Sequence, residues 1–124
     1  MKKIVATSNA PAAIGPYSQG IDLGNMVFTS GQLPINPANK ELVTSIKEAT
    51  TQALNNVKAI LEASGTTVDN IVKTTIFLKD LDDFAAMNEA YAEFFQNDCP
   101  ARSCFQVAKL PMDAVIEIEA IAVK

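Results

Sequence analysis

The stretch Val115-Ile116-Glu117-Ile118-Glu119-Ala120-Ile121-Ala122-Val123 decides the fold class of this chain. Its residues alternate between two faces, because successive side chains of a β-strand point to opposite sides of the sheet. One face is wholly apolar and is expected to pack on helices; it carries Ile116, Ile118, Ala120 and Ala122. The opposite face is too apolar for open water but holds two carboxylates, so we expect another subunit to bury it. That face carries Val115, Glu117, Glu119, Ile121 and Val123.

The upstream elements complete an α+β pattern, in which two helices cover one face of a mainly antiparallel, six-stranded sheet. We predict strands at residues 3–6, 19–22, 26–30, 70–79, 101–109 and 115–123. Gly24-Asn25 predicts a tight turn between the second and third strands. The first helix is predicted at residues 45–63, with Ser45 and Glu48 as a capping box and Gly65 as its stop. Asp80 is predicted to cap the second helix.

Length, charge and hydropathy set limits on the class of protein. The 124 residues suit a single domain, residues 1–124, and a hydrophobic content of 48% is enough for a core. A net charge of −4 and an aromatic content of 6% without Trp argue against nucleic acid and anionic membranes as partners. We see no signal peptide and no apolar run that approaches the roughly 20 residues of a membrane helix. We therefore expect a cytoplasmic protein.

The chain contains no histidine, which removes the commonest general base and most transition-metal sites. Cys99 and Cys104 match no zinc or thioredoxin-like spacing, and we expect no structural disulfide and no metal. Proton transfer must therefore use Glu, Asp, Lys, Tyr, Cys or water.

Arg102 is the only arginine; nine lysines supply every other basic side chain. A planar guanidinium grips a carboxylate through two parallel hydrogen bonds, which lysine cannot imitate. Arg102 is therefore a candidate clamp for an acid substrate, although a structural ion pair with Glu117 or Glu119 is an equal alternative. The two glutamates can exchange protons with water or form interface ion pairs with Lys3 or Lys73, and their spacing does not separate these roles.

Three further positions are weaker candidates. Cys104 shares a strand face with Arg102, and we favour a buried, inert thiol over a nucleophile because no activating base is near in sequence. Tyr17 either reaches a substrate or anchors its loop. Gly31 allows backbone N–H groups to approach an oxygen closely.

Taken together, these segments resemble the RidA family, also called YjgF/YER/UK. The resemblance covers almost the whole chain and rests on residues 9–17 (NAPAAIGPY), 29–32 (TSGQ), 71–75 (IVKTT), 100–104 (PARSC) and 116–123 (IEIEAIAV). It implies a chorismate-mutase-like α+β fold in which the strand from Asn70 lies between the last two strands. It also implies a homotrimer that closes the sheets into a central barrel, with sites between subunits.

The resemblance further implies a cofactor-free enzyme. The reaction is hydrolysis of 2-iminobutanoate and 2-iminopropanoate, released by pyridoxal-phosphate enzymes, to 2-oxo acids and ammonia. Arg102 would hold the substrate carboxylate, backbone groups of Gly31 and Cys104 would orient it, and Glu117 would position or activate water. Tyr17, Ser30 and Asn88 would complete the pocket wall, and Glu119 would be structural.

One departure and two rival functions stay open. The loop at residues 95–100 looks shorter than in some relatives and has Cys99 before Pro100, which leaves its shape and the substrate size preference undecided. A non-catalytic small-acid sensor would keep Arg102 without turnover. An RNA-cleaving translation inhibitor is disfavoured by the acidic charge, the single arginine and the missing histidine.

Overall fold

A computed structural model describes residues 1–124 as a six-stranded sheet with two α-helices. The strands are β1 (Lys3–Val5), β2 (Gly20–Asp22), β3 (Met26–Thr29), β4 (Ile71–Leu78), β5 (Ala101–Gln106) and β6 (Ile116–Val123), and the helices are α1 (Ile46–Ala63) and α2 (Phe84–Phe94). The order in the sheet is β1-β2-β3-β6-β4-β5, and the β4–β5 pair alone is parallel. The predicted α+β class is confirmed, and β4 lies between the last two strands as the resemblance implied.

The β2–β3 hairpin turns where the sequence predicts it. Leu23 N–H donates to Met26 O at 2.8 Å, which leaves Gly24 and Asn25 as the two loop residues. Gly24 has a φ of +94°, which glycine adopts without the steric cost of a Cβ. The predicted strand at residues 101–109 is too long, since β5 ends at Gln106 and a short 3-10 turn, Pro111–Asp113, precedes β6.

Both helices form, with differences at their starts. Ser45 is the N-cap of α1, but its side chain makes no capping hydrogen bond, so the predicted capping box is wrong in that respect. Gly65, with a φ of +86°, follows the end of α1 as predicted. Asp80 caps a 3-10 turn, Leu81–Asp83, by accepting from Asp82 N–H at 2.9 Å, and α2 follows directly.

The sheet has one face packed on the helices and one face without cover. Ile116, Ile118, Ala120 and Ala122 are at most 3% exposed and belong to the main core, which confirms the predicted inner face of β6. The opposite face, called here the outer face, includes Ile4, Phe28, Phe105 and Val123, each more than a third exposed. Exposed apolar surface of this kind is typical of an interface. Neither α1 nor α2 combines the length and the apolar content of a membrane-spanning helix.

Candidate active site

Arg102 lies on the helix-facing side of β5, at the edge of the sheet. It pairs in register with Thr74 of β4, whose side chain is fully buried in the same direction. Its Nη1 donates to Asn88 Oδ1 at 2.7 Å, and its Cζ lies 4.8 Å from the ring centroid of Tyr91 and 5.5 Å from that of Phe84. The guanidinium is therefore supported by α2 and is only partly exposed.

Glu117 lies on the outer face of β6, two strands away from β5 in the sheet. It pairs in register with Phe77 of β4, and its neighbours along the strand, Ile116 and Ile118, point to the core. Burial, and then the charge of Glu119, raise the pKa of Glu117 above its ordinary value. Such a carboxylate accepts a proton more readily than an exposed one and is suited to general-base work.

Gly31 lies directly against the Glu117 carboxyl group. A Cβ at this position would clash with Glu117 Oε2 and would lie 2.8 Å from its Cδ. The neighbouring residue, Gln32, exchanges two backbone hydrogen bonds with Ile118, which aligns this loop along β6. The missing side chain of Gly31 therefore makes the space that the carboxyl group occupies.

Ser30 and Tyr17 lie in neighbouring loops, and Ser30 directly precedes Gly31 in the chain. Ser30 Oγ donates to Ser18 O at 2.6 Å, which ties it to the loop that carries Tyr17. The Tyr17 hydroxyl accepts from Ile14 N–H at 3.3 Å, and the half-exposed ring lines a cavity of about 440 Å³ beside the first strand. Neither Arg102 nor Glu117 lines that cavity.

The structure thus divides the predicted site residues into two groups. Arg102 and Cys104 of β5 and Asn88 of α2 lie on the helix side of the sheet. Glu117 lies on the outer face of the central strand β6, beside Gly31 and the preceding Ser30. Arg102 and Glu117 of one chain point to opposite faces of the sheet. One chain therefore does not bring the two principal groups together.

The ion-pair alternatives are absent within the chain. Its three salt bridges join Lys47 to Glu89, Lys79 to Asp113 and Lys124 to Asp22, so Arg102, Glu117 and Glu119 have no charged partner. Lys73 instead donates to Ser103 Oγ at 2.8 Å. An arginine held in place without a carboxylate keeps hydrogen-bond donors available for an anionic ligand.

Cys104 lies beside Ile76 of β4 and packs on the main core. Burial raises the pKa of its thiol, and the charge of Arg102 opposes this effect. A thiol with a raised pKa stays protonated near neutral pH and is a poor nucleophile. Elsewhere in the structure, no three Cys, Asp or Glu side chains lie close enough together to bind one metal ion.

Sequence reasoning missed Tyr91, Phe84 and Thr74 as neighbours of Arg102. Tyr91 is buried in the main core, whereas Phe84 is partly exposed. Phe84, Asn88 and Tyr91 occupy positions i, i+4 and i+7, so they share one helix face. A polar Asn between two aromatic residues on that face was the available signal.

The chain is similar to a known protein family over most of its length. The family model described as Endoribonuclease L-PSP, which represents the RidA/YjgF family, matches residues 7–124. The chain belongs to this family. It is 58% identical to the 2-iminobutanoate/2-iminopropanoate deaminase of Escherichia coli strain K12, over 100% of this chain and 99% of that protein.

Two solved structures share the fold. The YjgF gene product of E. coli superposes with a TM-score of 0.96 at 57% identity, covering 98% of each chain. E. coli TdcF with bound serine superposes with a TM-score of 0.96 at 53% identity, again covering 98% of each chain. These members of the RidA/YjgF family fix the six-stranded mixed sheet with two helices as the shared architecture.

Proposed function

We propose that this protein is a 2-iminobutanoate/2-iminopropanoate deaminase, which hydrolyses reactive imines from pyridoxal-phosphate enzymes to 2-oxo acids and ammonia. The observation that carries the proposal is the lone arginine, Arg102, braced by Asn88 and two aromatic rings and left without a carboxylate partner. A guanidinium in this state fits the carboxylate of a small 2-imino acid. The E. coli relative that is 58% identical bears the name of this activity.

The active unit is a homotrimer with each site built from two protomers. Because Arg102 and Glu117 of one chain face opposite sides of the sheet, a site that uses both needs two copies. One protomer supplies Arg102, Asn88 and the Cys104 backbone, and its neighbour supplies Glu117, Gly31 and Ser30. Packing of the outer faces around a central barrel covers the exposed apolar side chains of the sheet.

The chemistry needs only orientation and one proton acceptor. Arg102 binds the substrate carboxylate and places the electrophilic C=N carbon beside a water molecule. Glu117 takes a proton from that water as its oxygen bonds to the carbon, and then returns the proton to nitrogen. In the resulting carbinolamine, Glu117 carries the hydroxyl proton to the amino nitrogen, the C–N bond breaks as the C=O bond forms, and ammonia and the 2-oxo acid leave. This sequence requires no histidine, and no other group need be supplied by the protein.

RNA cleavage is not favoured as a second function. The family model is described as an endoribonuclease, but this chain has a net charge of −4 and a single arginine. Nucleic-acid affinity comes largely from basic side chains that replace counterions on phosphates. A filter-binding assay at low salt should find no RNA retention.

A small-acid sensor is the other alternative, and such a protein would bind 2-oxo acids without turnover.

The direct test measures ammonia and 2-oxobutanoate release from freshly generated 2-iminobutanoate. We expect the intact protein to accelerate both. Arg102→Ala and Glu117→Gln are each expected to lose most of the activity, and co-refolding the two variants together should restore part of it. With random mixing in a trimer, about a quarter of all sites should be intact. Each such site needs Arg102 from a Glu117→Gln protomer and Glu117 from a neighbouring Arg102→Ala protomer. Failure to complement would overturn the shared site.

Assembly has its own test. Phe28 is exposed on the outer face and pairs with Ile121, so Phe28→Glu places a charge in the proposed interface. We expect sedimentation to show a shift from trimer to monomer, with loss of activity. Leu23→Glu is the matched control, because Leu23 is 45% exposed at the hairpin turn. If both variants remain trimeric, the outer face is not the interface.

A further inference from the structure

The guanidinium of Arg102 is held by three side chains from a single face of α2. Phe84, Asn88 and Tyr91 follow one another at i, i+4 and i+7, which places them in a row beneath β5. Asn88 fixes one nitrogen through the 2.7 Å hydrogen bond to Nη1. The two rings lie within the roughly 6 Å at which a cation is attracted to an aromatic face.

Tyr91 is the more tightly fixed of the two rings. It is 5% exposed, and its hydroxyl is hydrogen-bonded to Thr74 Oγ1 at 2.8 Å. Thr74 is itself fully buried and is the residue of β4 that pairs in register with Arg102. The hydroxyl end of Tyr91 is therefore anchored to the strand beside Arg102, while its ring lies 4.8 Å from the guanidinium carbon.

The single hydrogen bond that Arg102 donates to Asn88 does not fix the plane of the guanidinium. The group can still rotate about that bond, and a bidentate grip on a carboxylate requires both its position and its plane to be set. An aromatic face supplies the missing restraint because a stacked guanidinium lies against it. Tyr91 approaches more closely than Phe84 and has the extra anchor at Thr74.

We propose that Tyr91, braced by Thr74, is a positioning residue that fixes the guanidinium of Arg102 for bidentate binding of the 2-imino acid carboxylate. This proposal rests on the proposed function for the identity of the ligand. It assigns to a core tyrosine a role in the affinity for the acid group. Tyr91 itself touches no reacting atom.

The lone arginine makes the first measurement unambiguous. In a ¹H–¹⁵N spectrum the chain gives one arginine Nε–Hε resonance, because Arg102 is the only arginine. We expect a ring-current shift of this resonance that Tyr91→Leu removes and Tyr91→Phe retains. We also expect faster exchange of the Nε proton with water in Tyr91→Leu. An unchanged resonance in Tyr91→Leu would overturn the proposal whatever the enzyme does.

The second measurement is the affinity for 2-oxobutanoate, the carboxylate product. Loss of a desolvated cation–π contact should weaken binding by about tenfold in Tyr91→Leu, with a matching rise in KM. Tyr91→Phe and Thr74→Val should each cost less than about threefold, because the ring remains, and the double variant should cost no more than either single variant. In an Arg102→Ala background, Tyr91→Leu should have no further effect on binding.

A matched control separates positioning from general loss of packing. Phe94→Leu removes another aromatic side chain of α2, one that contacts Phe95 and has no contact with the guanidinium. We expect it to lower thermal stability while keeping the Arg102 resonance and the affinity for 2-oxobutanoate. Equal loss of affinity in Phe94→Leu and Tyr91→Leu would reduce Tyr91 to a packing residue and overturn the proposal.

The outcomes distinguish this proposal from the proposed function. If the intact protein hydrolyses the imine and Tyr91→Leu binds 2-oxobutanoate normally, the function stands and the positioning role fails. If the intact protein neither hydrolyses the imine nor binds 2-oxobutanoate, the function fails. In that case the Nε–Hε resonance still decides whether Tyr91 fixes the guanidinium.

Discussion

The surroundings of Arg102 and of Glu117 differ in almost every physical respect. Arg102 stands on an edge strand, faces the helices, and is fixed by an amide and two rings. Glu117 stands on a central strand, faces away from the helices, and rests against a glycine with no hydrogen-bond donor from a side chain. The helix side holds a group in a fixed position, whereas the outer face leaves apolar side chains exposed. A site that combines the two requires a second copy of the chain.

The largest effect should come from removing the clamp on the helix side. Arg102→Ala should lower kcat/KM by about a hundredfold or more, since two charge-assisted hydrogen bonds to the carboxylate are lost. Arg102→Lys should recover only a small part, because lysine lacks the planar fork. Product release assays and sedimentation check this, and full activity in Arg102→Ala would break the division of roles between the two faces.

The outer face should show the next largest effect, in a different kinetic parameter. Glu117→Gln keeps the shape of the side chain but cannot accept a proton, so kcat should fall by about a hundredfold, the lower end of the range for general acid–base catalysis. Affinity for 2-oxobutanoate should change much less than in Arg102→Ala. Titration calorimetry measures the affinity for 2-oxobutanoate, and steady-state assays measure kcat, so the two effects can be compared in each variant. Equal losses of binding in the two variants would mean that the faces do not divide binding from chemistry.

Gly31→Ala should sharpen the comparison by moving the Glu117 carboxyl group without removing it. The added Cβ clashes with the end of a flexible side chain, so the carboxyl group shifts and the fold should be nearly as stable. A displaced base of this kind costs roughly 10- to 100-fold in kcat. Stopped assays measure the loss of kcat, and thermal melts test whether the stability is retained. A normal kcat would show that Glu117 acts from some other position.

The smallest effect should be a change in pH dependence. Glu117 acts as a base only when it is ionised, so activity should fall as pH decreases through its pKa, which burial and then Glu119 raise. Glu119→Gln removes the neighbouring negative charge, lowers the pKa of Glu117, and should move the acid limb of kcat/KM to lower pH. An acid limb that stays in place would exclude Glu119 as a cause.

Most of the fold followed from local patterns. Alternation in residues 116–123 determined which side chains of β6 enter the core, since a strand has only two faces. Gly65 and the Gly24-Asn25 turn set the end of α1 and the hairpin because glycine alone adopts their backbone conformations without cost. The start of α2 was less predictable, since Asp80 caps a 3-10 turn with the same residue chemistry that begins an α-helix.

Two chemical groups of the candidate site can be identified in the sequence alone: a lone arginine and a glutamate within an apolar strand. Composition and strand alternation are local properties that the sequence shows directly. The pairing of strands placed these groups on opposite faces, since Arg102 pairs with Thr74 and Glu117 with Phe77, and these two positions of β4 alternate in direction. Packing of α2 on β4 also brings Tyr91 and Thr74 together beside Arg102, although the two residues are 17 positions apart in the chain. Registers and faces of this kind depend on how distant elements pack, which no local pattern records.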